Sequence, residues 1–188
     1  MIQGKRIVLK ILEQQDIPEL FELLSNPDVN ETLCLNIAEM TPANCVNYVA
    51  QTMPGTMYLI FGVYHKDSGE FLGFVSVTNI HSVNRTAHLQ QGAIKPSVWS
   101  EGYGEEAGFL LIRHLLLDRN IRRVTADSIS GNDASLNAAK RVGFKHEGTQ
   151  RKSLYLKGSW VSVKNLGLLK KEFNWSLFEN EEIEDGTD

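Results

Sequence analysis

Gly102 and Gly104 stand on either side of Tyr103, after a strand-like run, Leu89–Ile94, and before an amphipathic segment. Glycine has no Cβ, so the backbone there can approach a bound group closely. A turn of this kind ahead of a helix points N–H groups at one spot and adds the positive end of the helix dipole. The chemistry it favours is the holding of a phosphate. Further along, Asn132-Asp-Ala-Ser135 opens a second helix that Gly143-Phe144 closes. Asn132 suits an N-cap, and the Ser135 hydroxyl lies in the first turn, where it too could cap. Gly143 reads as the residue just past the helix end, and Phe144 as a core residue of the next strand. The order strand, glycine turn, helix, strand, Asn-capped helix would bring the two polar clusters together. They suggest a nucleotide-bearing cofactor.

Other elements must position these clusters. Lys5–Ile11 reads as a strand from its β-branched residues. Asp16-Ile-Pro18 starts a helix, with Leu20, Phe21, Leu23 and Leu24 as its apolar face, and Asn26-Pro27 ends it. Residues 27–40 are expected to be irregular. Thr41-Pro42 opens a second helix to about Thr52, and Met53-Pro54-Gly55 is a turn. Met57–His65 and Phe71–Ile80 form a hairpin around Lys66-Asp-Ser-Gly69, and Thr86–Lys95 is the next strand. Glu105–Asp118 has helical spacing, Arg122–Ser128 is a strand and Ala134–Val142 a helix. Lys145–Leu156 and Val161–Phe173 make a last hairpin around Lys157-Gly158. The expectation is an α/β (α+β) fold with a mixed sheet of about seven strands and about four helices.

The chain has 188 residues with 42% hydrophobic and 22% charged residues, which suits one soluble domain. Residues 1–175 read as that domain. Ser176–Asp188 carries Glu179, Glu181, Glu182, Glu184, Asp185 and Asp188 with no Lys or Arg, and reads as a disordered acidic tail. Without it, the formal charge of −4 becomes about +2, so the acidity belongs to the tail. No nucleic acid is expected as a partner, and no membrane span is expected either, since no 18-residue apolar run occurs. Cys34 and Cys45 are the only cysteines, and they have no ligand-like His spacing. That pattern, with no apolar signal region at the start, points to a reduced, cytoplasmic protein without a metal centre.

Trp99-Ser-Glu-Gly102-Tyr103-Gly104 resembles the acetyl-CoA motif of the GNAT N-acetyltransferase superfamily, written Q/R-x-x-G-x-G/A. Asn132-x-x-Ser135 with Arg141-Val-Gly143-Phe144 and Glu147-Gly148 resembles its second signature. Trp at the first motif position, Tyr103 after the first glycine and Tyr155-Leu-Lys-Gly158-x-Trp160 are similar to the Rim-type protein N-terminal acetyltransferases. The likeness spans about residues 5–173 and is strongest over 99–148.

The resemblance implies a GNAT-like, mostly antiparallel sheet splayed at the cofactor strand, with acetyl-CoA as acyl donor. Gln91, Ala93 and Ile94 would bind the pantetheine arm. Trp99, Glu101, Gly102, Tyr103, Gly104 and Glu105 would hold the pyrophosphate. Asn132 would bond the cofactor arm or the reacting region, Ser135 would lie near the thioester sulfur, and Asn137, Lys140 and Arg141 near the nucleotide end. The implied reaction is direct acetyl transfer to a primary amine, either a protein N-terminus or a small amine. A homodimer is compatible with all of this.

The chain departs from the branch on the acceptor side. Leu154 stands where a Glu precedes the matching tyrosine, and Ser162 and Leu166 where Asp and Tyr are frequent. His88, Leu89 and Gln90 stand near the place of another common Glu. A base must still take the ammonium proton. His88 is the best candidate by type and His81 the second, because an imidazole titrates near pH 6.5. Ser135 is the candidate for bonding the departing thiolate, with Tyr103 and Tyr155 behind it. The missing acids leave one alternative, a non-catalytic acyl-CoA-binding sensor or assembly module. A flavin or NAD protein fits poorly, since no G-x-G-x-x-G with a following acid marks the first strand–helix unit.

Overall fold

The computed structural model describes residues 1–33, 41–50, 58–156 and 158–178. Cys34, the Met53-Pro54-Gly55 turn, Lys157 and the acidic stretch 179–188 lie outside them. The strands are β1 (Ile2–Gln3), β2 (Ile7–Ile11), β3 (Leu59–His65), β4 (Phe71–His81), β5 (Thr86–Ile94), β6 (Arg123–Ile129), β7 (Lys145–Leu156) and β8 (Ser159–Leu169). They form one sheet in the order β1-β2-β3-β4-β5-β6-β8-β7. Every pairing is antiparallel except β5 with β6.

The helices are α1 (Ile17–Ser25), α2 (Pro27–Leu33), α3 (Pro42–Ala50), α4 (Tyr103–Leu117) and α5 (Asp133–Val142). Helix α2 falls where an irregular segment was expected. Asn26-Pro27 both ends α1 and starts α2. The Asn26 side-chain oxygen accepts from the amides of Asp28 at 2.9 Å and Val29 at 3.4 Å. Proline then sits in the first turn, where its missing N–H costs nothing. The last strand also stops earlier than Phe173, because Lys170–Glu172 closes into a 3-10 turn. Its Glu172 carboxylate caps the Leu169 amide at 3.0 Å.

Both faces of the sheet centre are covered. Strand β3 shows this by alternation: Leu59, Phe61 and Val63 join one core, while Ile60 and Tyr64 join the other. Helix α4 lays Ala107, Leu110, Leu111, Leu115 and Leu116 on the first face. Each of those leucines contributes roughly 1.5–3 kcal/mol by leaving water. On the second face, Leu20, Leu23 and Leu24 of α1 pack with Val29, Leu33 and Cys45 over Phe71, Phe74 and Ala93. Gly143 ends α5 at φ +113°, a conformation that glycine adopts without strain, and its amide reaches the Ala139 and Lys140 carbonyls. Among the described residues, no helix is long and apolar enough to cross a membrane.

Candidate functional site

The site begins where two parallel strands part. Strands β5 and β6 pair only over Thr86–Leu89 with Arg123–Ala126. Beyond that point β5 stays on β4, up to Ile94 against Gly73, while β6 stays on β8. The unpaired stretch of β5 therefore offers backbone N–H and C=O groups to a ligand. A cleft of about 680 Å³ opens there, between the splayed strands, the N-terminal part of α4 and α5.

The glycine turn forms one end of this cleft. Gly102 is the residue before α4 and takes φ +85°. Glu106 is the first whose amide closes onto the turn, to the Gly102 carbonyl at 3.0 Å. The N–H groups of Gly102, Tyr103, Gly104 and Glu105 have no hydrogen-bond partner among the described residues. They are the orphan donors of a helix start, and they suit an anion. Trp99 folds back so that its indole Nε1 donates to the Ile94 carbonyl at 2.7 Å, which closes the loop between β5 and α4.

Helix α5 forms the facing wall. Ser135 and Asn137 line the cleft from its first turns. Asn132 acts as the N-cap, its side-chain oxygen accepting from the Ser135 amide at 3.1 Å. That bond leaves the Ser135 hydroxyl available and fixes its place on the wall. Arg141 grips Glu105 with two bonds of 2.6 Å, so α5 is tied to the first turn of α4. The hydrogen-bonded Glu105 carboxylate raises the Arg141 guanidinium above its ordinary value.

On the opposite face of the sheet, His88 stands across from Thr125 in the parallel register. Its Nδ1 lies 2.9 Å from the Thr125 hydroxyl. That hydroxyl also lies 3.4 Å from the Ala87 carbonyl, so its single hydrogen has two acceptors within reach and the His88 tautomer follows which one it takes. Nε2 is the ring nitrogen outside that contact. Asp127 lies 3.9 Å from that nitrogen and is held by the Asn165 amide at 2.8 Å. An imidazolium formed at His88 would face a fixed carboxylate.

Ala93, Ile94, Trp99, Gly102, Tyr103, Gly104, Glu105, Ser135 and Asn137 line the cleft, as does Arg141. Gln91 is part of β5, and its side chain lies outside what the structure describes; Glu101 of the turn and Lys140 of α5 are not among the lining residues, nor are His88 and Asn132. Tyr155 is far from burial, at 61% exposed, and meets Trp160 in a tilted ring contact at the end of the last hairpin. Asp127, Thr125 and Asn165 were not singled out in the sequence. Period-two spacing puts Thr125 and Asp127 on one face of β6, but only the strand register brings His88 and Asn165 to them.

Residues 6–145 match the family model described as the acetyltransferase (GNAT) domain. YdaF of Bacillus subtilis, provisionally named a ribosomal N-acetyltransferase, is 25% identical over 175 residues, covering 90% of this chain and 94% of its own. YoaA of Bacillus subtilis, an N-acetyltransferase named as uncharacterized, is 22% identical over 161 residues, covering 85% of this chain and 90% of its own. Among solved structures, a spermidine N-acetyltransferase from Vibrio cholerae in complex with CoA and spermine superposes with a TM-score of 0.82. It is 16% identical and covers 90% of this chain and 98% of its own. That likeness is one of fold.

Proposed function

This chain belongs to the GNAT acetyltransferase family, whose members draw the acetyl group from acetyl-CoA, and we propose that it moves that group by direct transfer to a primary amine. The observation that carries this reading is the continuity of the cleft. It runs from the unpartnered amides of the α4 start, past the splayed β5 edge, to Ser135 and Asp127. The chain's residues fit the cofactor: an anion site, an open strand edge and a polar group lie along one path. Both N-acetyltransferase relatives support the same reaction type.

Acetyl-CoA would supply an activated thioester: as the amine nitrogen bonds the acetyl carbon, the carbon–sulfur bond would break, CoA leaving as the thiolate and taking up the proton left on that nitrogen. The amides of Gly102 to Glu105 bind the phosphates. The β5 backbone orients the arm. Ser135 donates a hydrogen bond toward the departing sulfur. His88 takes the ammonium proton, and Asp127, which lines the cleft 3.9 Å from the ring, stabilises the resulting charge. The proposed acceptor is a protein N-terminus or a small amine, and the proposed compartment is the cytoplasm.

Thiol release from acetyl-CoA with a panel of polyamines, aminoglycosides and short peptides tests the proposal. Amine-dependent release is the expected result. CoA binding without release for any amine would favour the non-catalytic acyl-CoA-binding module instead. Absence of CoA binding would remove both readings.

A further inference from the structure

Arg6 lies at the start of β2, far from the glycine turn in sequence, yet it reaches the turn directly. Its Nη1 donates to the Glu101 carbonyl at 2.8 Å. Its Nε and its backbone N–H each donate to the Glu106 carboxylate at 2.9 Å. The guanidinium also lies over the Tyr103 ring, 4.6 Å from the centroid. One side chain thus holds the residue before Gly102, the residue after it and the first turn of α4.

The geometry of the peptide unit gives this a consequence. In a trans peptide the C=O and N–H point in opposite directions. Arg6 fixes the Glu101 carbonyl, so the Gly102 N–H of the same peptide must point away from Arg6. Gly102, at φ +85°, resists rotation of that peptide less than any other residue would. Without an external hold the N–H would sample other directions. Arg6 is also paired with Glu106, so its charge is largely matched before any ligand arrives.

We propose that Arg6 is a positioning residue for the cofactor, holding the Glu101–Gly102 peptide so that its N–H joins those of the next three residues at the pyrophosphate. The proposal rests on the acetyl-CoA reading above. It acts through geometry and not through charge, because the orienting bond goes to a carbonyl of the turn. Lysine keeps the charge but cannot make the forked contact to both acceptors.

The test is calorimetric titration of CoA into wild type, Arg6→Ala and Arg6→Lys at low and high salt, with circular dichroism to confirm folding. Both variants should bind CoA at least tenfold more weakly, about 1.4 kcal/mol, by a similar factor at both salt levels. In 15N-glycine-labelled protein, the Gly102 amide signal should move on CoA addition in wild type and much less in the variants. Wild-type affinity in folded Arg6→Ala would overturn the proposal. So would full affinity in Arg6→Lys, or a loss that vanishes at high salt, since either would make the effect one of charge. If Arg6→Ala does not fold, Glu106→Gln loosens the same hold and should weaken CoA binding in the same direction. If wild type itself does not bind CoA, the functional reading fails independently of Arg6.

Discussion

Replacing Gly104 with valine puts a side chain at the floor of the anion site. A Cβ built at this position would lie 3.2 Å from Ile94 Cγ1, which itself lines the cleft. That is inside the 3.5–4.0 Å optimum for two carbons, so Ile94 or the first turn of α4 must shift. Valine's two methyls extend the conflict by about another bond length. A shift of a few tenths of an ångström misaims the free amides of Gly104 and Glu105. One hydrogen bond to a charged group is worth about 1.5–3 kcal/mol, so losing one predicts roughly a 10- to 150-fold weaker Kd for CoA. Helix propensity works the other way, because valine is a few tenths of a kcal/mol better than glycine inside a helix. Affinity and stability should therefore separate. Titration calorimetry should show weaker CoA binding by Gly104→Val, while the Tm of the ligand-free protein stays within a few degrees. Gly104→Ala, which adds the 3.2 Å contact alone, should fall between. A folded Gly104→Val protein with wild-type CoA affinity would refute the placement of the phosphates at this turn.

Three further outcomes are expected. Ser135→Ala should lower kcat about tenfold with little change in acetyl-CoA affinity, the pattern of a contact made mainly in the transition state; an unchanged kcat would leave Ser135 as a wall residue only. His88→Ala should lower kcat/KM more than tenfold near pH 7 and less near pH 9, where more amine is already neutral, and an equal loss at both would dismiss His88 as the base. The Arg123 fork, with bonds of 2.7 and 2.5 Å, holds the Glu147 carboxyl below its usual range. Its folded-state value is the lower one, so its stabilisation is present above the ordinary carboxylate range and is lost as pH falls through the folded value. Glu147→Gln should accordingly cost under about 1 kcal/mol at neutral pH, given the pair's exposure, and progressively less as the pH falls through the folded value; a Tm difference that does not shrink as the pH is lowered would contradict the linkage.

Local requirements made much of the site legible in the sequence. Gly102 takes φ +85° before a helix and Gly143 takes φ +113° after one, and glycine is the residue that does both without strain. Asn132 caps α5 through its own side chain, a bond that spans three residues. Helix α2 was missed for an equally local reason: Asn-Pro signals a helix start as strongly as a helix end, and both apply at Asn26-Pro27.

The rest lay in contacts between residues far apart in the chain. Arg6 meets Glu106, His88 meets Thr125, and Asn165 meets Asp127; the first meeting depends on where α4 crosses the sheet and the other two on strand register. Side-chain periodicity tells which face of a strand a residue occupies but not which residue of another strand lies beside it. A shift of one residue in pairing would move every partner to the other face. The amino-acid order therefore carried the anion-binding turn and the cap that places Ser135. The splay between β5 and β6, the Arg6 hold and the surroundings of His88 were decided by packing, because only the closed core fixes how far each strand slides past the next.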